Sequence, residues 1–154
     1  MSKVEKPHVL LADDNEATRT LLTALLHRDF DVDIATDGNE AIERLRTRRY
    51  AALLLDLRMP FADGFAVLDF LKEQQPQMLR NVLVVTAALS RADLQRAENY
   101  GICAVVAKPF DIDILLATVR ECASPDEGSG LGPVLCSSGP MILLIADLLR
   151  QRLM

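Results

Sequence analysis

Five residues whose side chains do chemistry stand at the downstream ends of apolar runs. Asp13 and Asp14 follow "HVLLA", Asp56 follows "AALLL", Thr86 closes "VLVVT", and Lys108 follows "CAVVA". Two adjacent carboxylates repel each other unless something positive lies between them, so Asp13 and Asp14 point either to helix capping or to a cation. Asp56 in the same place would make three crowded carboxylates, a set that a divalent cation screens. Mg²⁺ suits it, because this ion takes oxygen ligands and keeps several waters when a few carboxylates hold it. With a metal present, Asp56 becomes a candidate nucleophile toward a phosphoryl group, since aspartyl phosphates are an established form of covalent catalysis. Phosphoryl transfer rests on positioning and on neutralising the equatorial oxygens, for which Lys108 offers an ammonium and Thr86 a hydroxyl. Ala87, next to Thr86, is small and leaves the acceptor carboxylate accessible. Capping of the first helix is the competing reading of Asp13 and Asp14.

These residues meet only if the chain brings the ends of its apolar runs together. "HVLLAD" reads as a short buried strand, and after it Ala17, Leu21, Leu22, Leu25 and Leu26 share one face of a helical pattern. The order recurs as "VDIAT" then "GNEAIERLRTRR", "AALLLD" then "GFAVLDFLKEQ", "VLVVTA" then "SRADLQRAENY", and "CAVVA" then "DIDILLATVREC". Solid Val, Leu and Ile runs are what a parallel sheet covered on both faces requires. The expected fold is therefore α/β, a doubly wound five-stranded parallel sheet with helices on both faces. Ser90 and Asp111 stand where N-caps belong, Gly101 follows the fourth helical pattern, and Pro60 and Pro109 fall in loops beyond strands. In such sheets ligands bind outside the carboxyl ends of the strands, where all five polar residues would lie.

Composition narrows the function. A chain of 154 residues with 50% hydrophobic residues supports one domain and a short appendage. A net charge of −5 argues against direct nucleic-acid binding, which needs clustered Lys and Arg. Cys103, Cys122 and Cys136 form no CxxC pair and leave one thiol over, so reduced, inert thiols and a cytoplasmic setting are expected. No apolar stretch reaches the ~18 residues of a membrane span, and "MSKVEKPH" lacks a signal-peptide core. His8 and His27 are isolated and read as packing or surface residues; "RLRTRR" reads as a solvated helix end.

Taken together, "DD" at Asp13 and Asp14, "DLRMP" from Asp56 to Pro60, "GF" at Gly64 and Phe65, "TA" at Thr86 and Ala87, and "KPF" from Lys108 to Phe110 resemble the receiver domain of two-component response regulators. The resemblance covers roughly residues 7 to 123 and implies a flavodoxin-like fold of the chemotaxis-regulator kind. It implies that Asp56 is the phosphoacceptor, taking its phosphoryl group from a partner histidine kinase or histidine phosphotransfer protein. Asp14, Asp56 and the backbone carbonyl of Arg58 would bind Mg²⁺, and Asp13 would reach it directly or through water. Lys108 would hold the phosphoryl group, Thr86 would follow it as a switch, and the Lys108–Pro109 bond would be cis. The protein would be no enzyme in the ordinary sense, but a phosphoacceptor that catalyses its own phosphorylation and dephosphorylation and then binds a downstream protein target. One position departs from the pattern: Val105 stands where receivers carry a Tyr or Phe whose ring moves with the switch hydroxyl, so the signal is expected to leave through the loop after Thr86 and the fourth helix.

Rival classes fit less well. A degenerate receiver serving only as a protein-binding module is opposed by the presence of every expected polar group. An aspartate-nucleophile phosphatase of the haloacid dehalogenase type asks for DxD where this chain has "DLR", and a nucleotide-binding module would need glycines in the turn "DDNEAT". Residues 1–123 are thus expected to form the receiver, and residues 124–140, rich in Gly, Ser and Pro, a linker. Residues 141–154, "MILLIADLLRQRLM", read as an apolar helix that docks on its own chain or pairs two copies as a homodimer, and no output domain is expected.

Overall fold

A computed structural model describes residues 5–87 and 90–123. The linker and terminal-helix expectations, and Cys136, lie outside the described residues. Among the described residues five strands alternate with five helices: β1 (His8–Ala12), α1 (Glu16–Leu26), β2 (Asp31–Ala35), α2 (Gly38–Thr47), β3 (Ala52–Leu55), α3 (Gly64–Gln74), β4 (Val82–Thr86), α4 (Arg91–Asn99), β5 (Ala104–Ala107) and α5 (Ile112–Ala123). A 3₁₀ turn, Pro76–Asn81, leads into β4 and was not expected from the sequence. The strands form one parallel sheet in the order β2-β1-β3-β4-β5, the doubly wound arrangement expected. No helix among the described residues is long and apolar enough to cross a membrane.

Because successive side chains of a strand point to opposite faces, each apolar run feeds two cores. Leu10, Leu53, Leu55, Val84 and Val105 pack with α2, α3 and α4 on one face. Val9, Leu11, Leu54, Leu83, Val85 and Val106 pack with α1 and α5 on the other. This two-sided burial explains why the strands read as continuous hydrophobic stretches. The helices start at side-chain caps, in which Asn15, Asp37, Asp63, Ser90 and Asp111 each accept a bond from the backbone N–H three residues on. Gly101 ends the fourth helical segment with φ of 76°.

Two expectations need correction. The packed face of α1 is Leu22 and Leu26, with Leu25 at its edge, while Ala17 and Leu21 are exposed. At ~100° per residue those two stand about 100–180° around the helix from Leu22 and Leu26, too wide an arc for one face to cover. The cysteines also differ from expectation: Cys103 and Cys122, buried and 19 residues apart, form a disulfide with a Cα separation of 5.9 Å. Cys103 precedes β5 and Cys122 sits in the last turn of α5, so folding α5 back over the sheet juxtaposes them. A thiol-based argument for a reducing compartment therefore does not hold.

Candidate functional site

The register of the sheet assembles the site. Ala12 pairs with Leu55, so Asp13 and Asp56 leave neighbouring strands side by side, and the Asp56 amide donates to the Ala12 carbonyl at 2.9 Å. Thr86 pairs with Ala107, and the Lys108 amide donates to the Thr86 carbonyl at 2.9 Å. All five predicted residues thus share the carboxyl rim. One carboxylate oxygen from each of Asp13, Asp14 and Asp56 lies within 4.8 Å of the others.

Their environments differ. Asp13 is buried: its Oδ1 accepts the Asn15 amide at 2.8 Å and its Oδ2 receives the Lys108 ammonium at 2.6 Å. Lys108 also reaches Asp56 Oδ2 at 3.4 Å, and the cis Lys108–Pro109 bond is as the resemblance implied. Asp14 is exposed and free to approach an ion from the solvent side. Asp56 is buried, and its Oδ1 accepts the Arg58 amide at 3.0 Å. Desolvation by burial raises the Asp56 pKa above the ordinary carboxylate value; the Arg58 amide, the Lys108 charge and the Thr86 hydroxyl oppose that rise, and the Asp13 charge adds to it. A buried acid held in this balance is a functional-site signature.

The Thr86 hydroxyl is fully buried on the same rim, makes no hydrogen bond of normal geometry among the described residues, and lies close enough to the Asp56 carboxylate to help hold its pKa down. A buried donor this loosely held can turn to an oxygen-rich group placed beside Asp56. The donor set also fits a hard divalent cation, since carboxylates of different exposure can supply a few oxygens and leave water to complete the shell. Val105 lies on β5 opposite Val84 and is fully buried, an aliphatic packing residue with no ring to move.

The loop after β3 is shaped by close contact. A Cβ on Gly64 would stand 2.5 Å from the Asp56 carbonyl oxygen, so only glycine lets α3 begin this near the end of β3, and the Gly64 amide donates to the Leu57 carbonyl at 3.1 Å. In the same loop Phe61 has φ of 66° and is 89% exposed. Sequence reasoning missed the side-chain partners of this loop. The Arg58 guanidinium lies 3.6 Å from Asp93 of α4, and Arg96 of α4 lies over the Phe65 ring at 4.0 Å. Asp93 reads in the sequence only as an acidic first-turn residue, and no local spacing ties it to Arg58.

The two histidines and the basic cluster fall as expected. His8 meets the Arg48 guanidinium at 2.8 Å, far along the strand from the acidic rim, and His27 caps the exposed end of α1. The basic cluster is a solvated helix end: Arg44 and Arg46 pair loosely with Glu40 and Glu43 at 3.8 and 3.9 Å.

The sequence model of the response regulator receiver domain matches residues 9–120. The response regulator ArlR of Staphylococcus saprophyticus is 30% identical over 112 residues, which are 73% of this chain and 50% of that protein. The chain spans about half the length of the curated relatives it matches. Among solved structures, the Francisella response regulator 1452 receiver domain superposes with a TM-score of 0.69 at 28% identity, over 77% of this chain and 97% of that one. The receiver domain of the sensor histidine kinase PA1611 from Pseudomonas aeruginosa, solved with a magnesium ion coordinated in its active site cleft, gives a TM-score of 0.68 at 26% identity, covering 77% and 98%.

Proposed function

The chain belongs to the response regulator receiver domain family, and on that footing we propose that Asp56 accepts a phosphoryl group from a phosphohistidine on a partner kinase or phosphotransfer protein. The observation that carries this reading is the placement of Lys108, held by Asp13 at 2.6 Å and brought to 3.4 Å from the Asp56 carboxylate, with the buried Thr86 hydroxyl on the same rim. Asp13, Asp14 and Asp56 would hold Mg²⁺, with the Arg58 carbonyl added by family resemblance. Bound there, the ion would neutralise charge on the transferring oxygens.

The chain's own residues do the rest. A carboxylate oxygen of Asp56 attacks phosphorus in line; the P–N bond to the partner's imidazole breaks, and the leaving nitrogen keeps the electron pair and takes a proton from solvent. The Arg58 amide fixes Oδ1 and so leaves Oδ2, on the Lys108 side, as the reacting oxygen. Lys108 shifts from the carboxylates toward the added phosphoryl oxygens, and the Thr86 hydroxyl donates to one of them. Hydrolysis reverses the gain when water attacks the acyl phosphate and releases phosphate, so the chain limits its own signal. The phosphorylated chain then engages a downstream protein.

The test is incubation with Mg²⁺ and a phosphoramidate, followed by intact mass. One phosphate adduct is expected, absent from Asp56→Asn and abolished with the Mg²⁺-dependent rise in melting temperature by Asp14→Ala. An adduct that persists unchanged in Asp56→Asn would overturn the assignment.

A further inference from the structure

An open cleft of about 490 Å³ separates the loop after β3 from α4, with Leu57, Arg58, Met59, Phe65, Asp93 and Arg96 among its walls. Two contacts bridge it: the Arg58 guanidinium to Asp93 Oδ2 at 3.6 Å, and Arg96 over the Phe65 ring at 4.0 Å. Helix α4 has little other anchorage among the described residues. It fully buries only Ala97, with Leu94 partly buried against the core, whereas α3 buries Gly64, Phe65, Val67, Leu68 and Leu71. A helix with so little buried apolar surface opens at low cost.

Arg58 touches both the Asp56 carboxylate and α4. Its amide is 3.0 Å from Asp56 Oδ1, and its side chain ends on Asp93. That side chain is 67% exposed and Asp93 is 30% exposed, so water screens the pair and its hold is weak. A phosphoryl group on Asp56 would carry ~−1.5 to −2 charge with three acceptor oxygens, a better match for a guanidinium fork than a screened carboxylate.

We propose that the Arg58–Asp93 ion pair is a latch on α4 that phosphorylation of Asp56 releases, the guanidinium exchanging the Asp93 carboxylate for the phosphoryl oxygens. The latch gives the chain a coupling between the acceptor and α4 where Val105, buried and without a ring, cannot swing an aromatic side chain. The release half rests on the proposed phosphorylation of Asp56; the hold on α4 does not.

Hydrogen exchange followed by mass spectrometry on the full chain, reading the peptide over residues 90–99, tests both halves. Without phosphodonor, Arg58→Gln should raise exchange of α4 about two- to five-fold, the range that an exposed pair supports. Asp93→Asn should do the same, and the double variant should add nothing further. Arg58→Gln leaves the α4 N-terminus intact, so it separates the ion pair from the favourable position of an acid in the first helical turn. Unchanged α4 exchange in Arg58→Gln would overturn the latch whatever the phosphorylation result. With Mg²⁺ and phosphoramidate, wild type should reach the exchange level of Arg58→Gln, while Asp93→Asn, which keeps its adduct, should change little. A wild-type adduct without faster α4 exchange would overturn release; a missing wild-type adduct would overturn the proposed function and release with it.

Discussion

At Asp56 the molecule accepts a local instability. Burial raises this carboxyl's pKa, so the folded state binds more protons than the unfolded state between the ordinary Asp value and the raised one. Stability therefore falls as pH rises through that window, and at neutral pH the ionised group weighs against the fold. In chelator and without phosphodonor, Asp56→Asn should melt higher than wild type at neutral pH. The gap should close in acid, below the ordinary Asp value, where the carboxyl is neutral in both states. Equal melting curves at pH 7 would mean that Lys108 and the Arg58 amide compensate the burial fully. Tyr50 supplies a second pH effect of the same sign. Burial and its 2.7 Å bond to Asp33 push its phenol above the usual range, so stability should decline above pH ~10. Tyr50→Phe should flatten that alkaline limb in a urea titration. The identities of the rim residues were legible in the sequence, because each ends an apolar run. Their protonation and partners were not, since these depend on neighbours from other strands.

At the level of elements, period and caps carried most of the information. Strand ends and α3 fall where the alternation of apolar runs put them, and Ser90 and Asp111 cap as expected. The misses have local causes. In α1 the apolar residues cover more of the helix than the sheet can bury, leaving Leu21 44% exposed. The 3₁₀ turn before β4 has no hydrophobic period of its own. The tie between Arg58 and Asp93 joins a loop to a helix 35 positions on (93 minus 58), a distance that pattern reading does not span. Gly64 marks the opposite case, a residue noticed as part of a motif whose reason is steric. Gly64→Ala should cost stability at or beyond the upper end of ~1–3 kcal/mol, because the obstacle is backbone and cannot rotate away. It should also displace Asp56 and slow phosphoryl uptake; a normal melting temperature would show that the loop yields.

Over the whole molecule, the disulfide is the feature that composition concealed. Cys103 and Cys122 bracket β5, Lys108 and most of α5, so a covalent ring encloses the element that delivers the ammonium to the rim. Closing a loop of this length is worth ~3 kcal/mol in the chain-entropy view, and reductant should lower the melting temperature accordingly. Non-reducing intact mass should be two hydrogens lighter than the reduced mass; full alkylation of all cysteines without reductant would contradict the bond. The fold class itself was legible because two-sided burial imprints every strand, whereas the pairing of two distant cysteines emerges only once α5 lies on the sheet. The ion pair between Lys108 and Asp13 spans 95 positions of sequence and closes the site from both ends of the domain. During synthesis the acidic rim is therefore made first and its counter-charge last. A nascent chain on the ribosome carries Asp13, Asp14 and Asp56 without their lysine until β5 has emerged, so under the proposed function a phosphodonor would meet a competent acceptor only after translation of the receiver is essentially finished.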